Sequence, residues 1–335
     1  MTLPLDPGSG HLRDGVGRPE PARDVRASLI VLNYEGIHVL GDCVDSLLAA
    51  IGPEDEIIVV DSASTDGSPD VIAETSQVAV VRLPENRYIF GLNAGLARAR
   101  GEYVAFLNND MVVEAGFVEA LVEGFEGSEV FAVCARILDR HGHEQGSRTA
   151  GFWAHGVLHY ESLPHSKTPT DCFFAVGGQS LFRRAQLQEL GSIDPLLWPM
   201  YHEDIELSFR AWKRGWRIRY APDAVVHHLG SHSSKRVFTP SQLRSFVRQN
   251  EFLTVWKDIT DPPMLAEHGL WLIPRFVKAA IVRDWPTFIG FWSAARRAPR
   301  VLRARRLARG HVRISDREVL RRVGRAAVDV GSTAI

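Results

Sequence analysis

Four clusters of polar side chains in this 335-residue sequence are of a type and spacing that could do chemistry. Asn108-Asn109-Asp110 closes an apolar run. A single carboxylate flanked by amides suffices for a hard divalent cation, which fills its octahedron with water and phosphate oxygens. Taken alone, Asp110 also reads as the cap of the following turn. Asp61 opens Ser62-Ala63-Ser64-Thr65-Asp66-Gly67. A carboxylate there can accept from the imide N–H of a pyrimidine, whereas Asp66 reads as a turn former and helix cap. His202-Glu203-Asp204-Ile205-Glu206 places three carboxylates at a helix start, with Arg210, Lys213 and Arg214 at the other end. The helix dipole favours that arrangement by itself, but a carboxylate facing a crevice can also take a proton from a hydroxyl. Glu206 and Arg210, four apart, can simply pair. His227, His228 and His232 offer imidazoles to a metal or a diphosphate, at a spacing unlike that of a closed zinc site.

These clusters need strands and helices to aim them. Ala27–Leu32, Glu56–Val60, Val78–Leu83 and Tyr103–Leu107 are short apolar runs rich in β-branched residues, the pattern of buried strands. Helical patterns at about residues 37–50, 67–75 and 92–100 alternate with them, so an α/β domain with a mainly parallel sheet is expected. In such sheets ligands sit beyond the carboxyl ends of the strands, where Asn33-Tyr34-Glu35-Gly36, Asp61 and Asn108-Asn109-Asp110 fall. From Asp139 to Asp171 the composition is that of a loop suited to an acceptor. A helix over about 203–214 precedes a strand at 216–220, and after about Lys235 the chain reads as helical.

Read together and in order, these segments resemble the family 2 inverting glycosyltransferases of the GT-A fold. The resemblance is carried by Leu29–Tyr34, Ile58–Gly67, Glu85–Gly95, Arg100–Tyr103 and Leu107–Asp110. It continues through Gly177–Arg184, Gly191–Asp194, His202–Leu207, Arg210, Gly215–Ile218, Pro222 and His228–Ser233. It implies a GT-A domain over 27–235, while composition and pattern mark a flexible leader over 1–26 and a basic helical extension over 236–335. It also implies transfer of one sugar from a nucleotide-diphosphate donor, dTDP-rhamnose first and a UDP-sugar next, to a glycan or lipid-linked hydroxyl in cell-surface polysaccharide synthesis. Asn33, Tyr34, Glu35, Asp61, Arg87, Asn109 and Asp110 would meet the donor. Gly178, Gln179 and Glu203 would lie on the acceptor side, Asp204 would be the base, and Asp110 with His228 would hold Mg²⁺ or Mn²⁺. Two departures stand out. Asn108 replaces the first carboxylate of the D-x-D motif, and Glu206 replaces the last Asp of E-D-x-D. The Q-x-x-R-W signature of processive synthases is absent.

Composition sets further bounds. Three scattered cysteines do not form a disulfide scaffold or a zinc ribbon, and the N-terminus shows no secretory signal, so the cytoplasm is expected. The net charge of −1 divides unevenly: residues 271–335 hold 15 Lys or Arg against 4 Asp or Glu. A basic tail seeks polyanions. Trp285, Phe288, Phe291 and Trp292, followed by an arginine block, suit either an interfacial helix on anionic lipid at the inner membrane face or a helix packed on the α/β body with a solvated basic end. Charged residues within 271–293 rule out a spanning helix. No nucleic-acid motif accompanies the charge. The competing readings are an idle membrane scaffold with this fold and a sugar nucleotidyltransferase. The latter lacks its glycine-rich phosphate loop after the first strand.

Overall fold

The structure, a computed structural model, describes residues 25–230 and 237–325. The leader up to residue 24, and His232 with its neighbours, lie outside the described residues.

The expected alternation is present. β1 (Ala27–Asn33), α1 (Leu40–Ala50), β2 (Asp55–Asp61), α2 (Ser68–Ala73), β3 (Val78–Arg82), α3 (Gly91–Arg98) and β4 (Tyr103–Asn108) follow in order. β2, β3 and β4 join β1 in a parallel sheet of order β3-β2-β1-β4. Side chains of a strand alternate between faces, and this sequence puts apolar residues on both. Leu29, Val31, Ile57, Val59, Ala105 and Leu107 pack toward α1 and toward α4 (Phe117–Glu123). Ile30, Ile58, Val60, Val104 and Phe106 pack toward α3 on the opposite face.

The second half extends the sheet in mixed directions. β10 (Gln179–Arg183) runs antiparallel between β4 and β6 (Val130–Asp139), and β11 (Arg217–His228) pairs parallel with β6. β5 (Met111–Val113) and β9 (Thr170–Asp171) pair antiparallel with β11. The stretch read as a loop, Asp139–Asp171, instead contains a hairpin of β7 (Arg148–Ala154) and β8 (Val157–Leu163). Its alternation is blurred by polar residues such as Ser147, Arg148 and Thr149, which are nonetheless buried. The strand expected at 216–220 runs on to His228.

After α5 (Arg184–Leu190) and α6 (Glu203–Lys213), further helices follow among the described residues: α7 (Pro240–Asp258), α8 (Pro262–Ile281), α9 (Trp285–Arg296), α10 (Ala298–Arg309) and α11 (Asp316–Val323). Thr239 and Gln242 form a capping box at the start of α7, with Pro240 in the first turn where its missing N–H costs nothing. Phe252, Leu253, Val255, Met264, Ala294, Val301, Val319 and Val323 share one core cluster with α3 and α6. Phe288 and Phe291 do not form an outward aromatic face. Phe288 stacks on Phe276, and Phe291 packs edge-on to Phe252 and Trp256, which leaves Trp285 and Trp292 exposed.

Candidate active site

A cleft of about 380 Å³ opens at the carboxyl ends of β1 and β4. Leu32 of β1 and Tyr34 just after it line the cleft, with Asn108 at the end of β4 and Asn109 and Asp110 in the turn that follows. Glu203 and Asp204 enter from the first turn of α6, His228 from the end of β11, and Gly177 from the turn before β10. Sequence reasoning did not single out Asn86, Tyr88, Ile89, Met200, Tyr201 and Val237, which also line it. Tyr88 lay within the recognised Glu85–Gly95 segment, and its ring meets Trp198 edge-on with centroids 5.3 Å apart.

Beneath the cleft floor lies a buried amide and carboxylate network. Asn33 Nδ2 donates to Asp61 Oδ1 (2.9 Å) and Ser68 Oγ (2.9 Å), while Asn33 Oδ1 accepts from Asn109 Nδ2 (2.8 Å). Asp61 Oδ2 accepts from the Ser64 amide at 3.1 Å. A Cβ at Gly36 would fall 2.2 Å from both Asn33 Oδ1 and Asn109 Nδ2, so only glycine fits over this contact. Glu35 does not line the cleft. Its Oε1 accepts from the amide and hydroxyl of Thr65, bracing the β1 loop against the β2 loop. Arg87 also lies outside the lining, with Nε 3.0 Å from Glu85 Oε1. Gln179 is fully buried at the start of β10, its Nε2 3.4 Å from the Ala135 carbonyl. Gly178 has φ +90°, and a Cβ there would come within 2.6 Å of Asn108 Nδ2, so the turn needs glycine on both counts.

Asp110 is 4% exposed, and its Oδ2 lies 3.2 Å from His228 Nε2, while His228 Nδ1 lies 2.9 Å from Gln145 Oε1. The hydrogen bond to Asp110 raises the His228 pKa. One carboxylate oxygen and one imidazole nitrogen at this separation can share a divalent cation whose remaining places go to water and phosphate oxygens. Mg²⁺ and Mn²⁺ accept that donor set. Among the described residues no three His, Cys, Asp or Glu cluster into an all-protein cage. The residues therefore fit a cation completed by its substrate.

Across the cleft, Glu203 and Asp204 sit at the dipole-positive end of α6. Burial pushes the Glu203 carboxyl up to about 8, with the Asp204 charge adding to the rise. Burial likewise raises Asp204 against the pull of the Ile205 and Gly177 amides. Tyr201 and His202, just before this turn, both have φ of +72°, in the left-handed region that costs non-glycine residues energy. Helix α7 holds them: Asn250 Nδ2 donates to the carbonyls of Leu197, Met200 and Tyr201 at 2.7–3.0 Å. Glu206, expected to pair with Arg210 four residues on, is fully buried and paired. Arg210 Nη2 donates to its Oε2 at 2.9 Å, and Lys257 of α7 contacts its Oε1.

Residues 28–191 match the model for Glycosyl transferase family 2. An uncharacterised glycosyltransferase of Nostoc is 30% identical over 188 residues, covering 53% of this chain and 56% of that protein. The O-antigen chain rhamnosyltransferase WbaN of Salmonella anatum is 25% identical over 191 residues, covering 55% and 59%. The chain thus spans little more than half the length of these curated relatives. The crystal structure of GalNAc-T7 with UDP, GalNAc and Mn²⁺ superposes with a TM-score of 0.57 over 71% of this chain and 48% of that one, at 18% identity, a likeness of fold. Over residues 28–191 the chain therefore resembles glycosyl transferase family 2, and its fold is of the GT-A kind.

Proposed function

We propose that the protein is a metal-dependent inverting glycosyltransferase. It moves one sugar from a nucleotide-diphosphate donor to a hydroxyl of a glycan or lipid-linked acceptor in cell-surface polysaccharide synthesis. The observation that carries this reading is a single cleft bordered on one side by Asp110 and His228 and on the other by Asp204. Transfer forms a bond from the acceptor oxygen to the anomeric carbon and breaks the bond from that carbon to the diphosphate, which leaves with the electron pair. Asp204 takes the proton of the acceptor hydroxyl. Its raised pKa suits a base, since a carboxylate of higher proton affinity removes a hydroxyl proton more readily. Asp110 and His228 would hold Mg²⁺ or Mn²⁺, which would offset the charge growing on the leaving diphosphate. Tyr34 and Asn109 border the donor side, over the floor fixed by Asn33 and Asp61. Attack from the face opposite the diphosphate inverts the centre and needs no enzyme nucleophile.

The donor proposed first is dTDP-rhamnose, in line with the rhamnosyltransferase relative, and next a UDP-sugar, in line with the UDP in the structural neighbour. The basic C-terminal segment would hold the enzyme at the inner face of the cytoplasmic membrane, where lipid-linked acceptors are presented.

A thermal-shift series with Mn²⁺ or Mg²⁺ and nucleotide diphosphates tests the donor half, because a ligand that binds the native state raises its stability. Asp204→Asn tests the chemistry. It is expected to lower turnover by about 10²–10⁴-fold while leaving the nucleotide shift intact. A variant with near-normal turnover would remove Asp204 from the mechanism.

A further inference from the structure

No helix among the described residues is long and apolar enough to cross a membrane. Yet α8 carries an apolar ridge that nothing among the described residues covers. Leu270, Ile273, Val277 and Ile281 are 72%, 70%, 54% and 76% exposed. Their spacing of three and four residues sets them on one face, while Met264, His268 and Ala279 bury the other. Exposed Val282 and Trp285 follow at its end.

Beside the ridge lies a cavity of about 510 Å³ between the β7–β8 turn and helices α7, α8 and α9. His155, His159, Arg248, Arg275 and Lys278 line it, with Asp284 as the opposing charge. Arg248 is paired with Glu251 at 3.0 Å. Arg275 stands farther from the same carboxylate, at 3.9 Å, and its buried Nη1 makes no hydrogen bond among the described residues. Lys278 has no ion pair among the described residues. An apolar ridge flanked by an under-neutralised basic cavity complements one surface in particular, acyl chains beneath a layer of phosphates.

We infer that the α8 ridge, and not the arginine-rich α10, is the face that seats the protein on an anionic phospholipid bilayer, with a headgroup phosphate held in the adjoining cavity by Lys278 and Arg275. This rests on the peripheral-membrane part of the proposed function and replaces its generic basic tail with a defined surface. The helix lies in the plane of the interface, its ridge among the upper acyl carbons.

The test is flotation with vesicles of phosphatidylglycerol and phosphatidylcholine in equal parts, against phosphatidylcholine alone. The double variant Ile273→Asp/Val277→Asp is expected to lose about tenfold or more in binding. Lys278→Glu is expected to lose about fivefold, and only on the anionic vesicles. Because Cys43, Cys134 and Cys172 are all buried, Val277→Cys offers one accessible thiol for an environment-sensitive dye. That conservative exposed change cannot unfold the chain, and its emission should shift to the blue on anionic vesicles, whereas a dye on Leu307→Cys should not shift.

Three outcomes would overturn the inference. If Arg303→Glu/Arg306→Glu abolishes binding while the ridge variants bind normally, α10 makes the contact and the peripheral reading survives. If the wild-type protein binds neither vesicle, both fall. If the dye is shielded without lipid and the ridge variant turns a dimer into a monomer, the ridge covers a second copy. Transfer to a soluble acceptor, measured on the same variants, reports separately on the catalytic reading.

Discussion

Glu203 and Asp204 are adjacent carboxyls that share one crevice, so they cannot both ionise cheaply. Glu203 titrates near 8 and is mostly neutral at pH 7, which leaves the charge to Asp204. Two consequences follow for pH. On the proposed mechanism transfer requires Asp204 deprotonated, and burial raises its pKa, so the rate should climb with pH through a point above that of a solvent-exposed aspartate and then level off; a rate already level where exposed aspartates titrate would contradict the assignment. Stability should move the other way. Between its unfolded value and about 8, the native Glu203 holds a proton that the unfolded chain has released, so stability falls as pH rises through that window. Glu203→Gln should flatten this fall in thermal melts from pH 5 to 9. The pair itself was legible in the sequence, because acid at a helix start before an apolar face is a recognisable pattern. The roles of Asn33 and Glu35 were less so. Both stand at the strand end where ligands bind, but their hydrogen bonds run to Asp61, Asn109 and Thr65, residues 28 to 76 positions away, and no local spacing discloses such partners.

At the scale of elements, α6 matters because of what holds its first turn. Two consecutive residues in the left-handed region have no local reason to stay there. The three carbonyls that Asn250 binds over-determine the turn from α7. Asn250→Ala should therefore cost about 1–3 kcal/mol of stability and lower kcat more than it raises the KM for donor. Denaturant unfolding alongside steady-state kinetics would show it; a loss of stability with unchanged kcat would make Asn250 merely structural. The parallel strands were legible because each is a short β-branched run closed by polar residues. The β7–β8 hairpin was not, since its buried residues include Arg148 and Thr149, whose burial depends on partners such as Thr170 and on the core behind Phe173. That hairpin supplies the segment next to Gln145, the partner of His228, so part of the site was hidden with it.

The whole molecule joins an acidic body to a basic tail, and the sequence suggested a catalytic domain with an appendage. The packing argues for closer union, because α7 and α11 place Phe252, Leu253, Val319 and Val323 in the same core as α6. Buried ion pairs cross the same seam. Lys257 contacts Glu206 and lies 2.6 Å from Asp194, while Lys213 of α6 lies 2.5 Å from Asp316 of α11. Asp316 also accepts from the amides of Thr260 and Asp261, both at 2.6 Å, so a single carboxylate ties α6, the α7–α8 corner and α11 together. Removing it strands a buried ammonium and two amides, and Asp316→Ala should cost about 3–5 kcal/mol. How that loss appears discriminates between the two architectures. If the helices form one cooperative unit with the sheet, urea unfolding of wild type and variant is each a single transition, coincident by tryptophan fluorescence and circular dichroism, and the variant's midpoint is lower. If the helices were a separate appendage, the variant would show an early transition carrying only helical signal, with the later one unmoved.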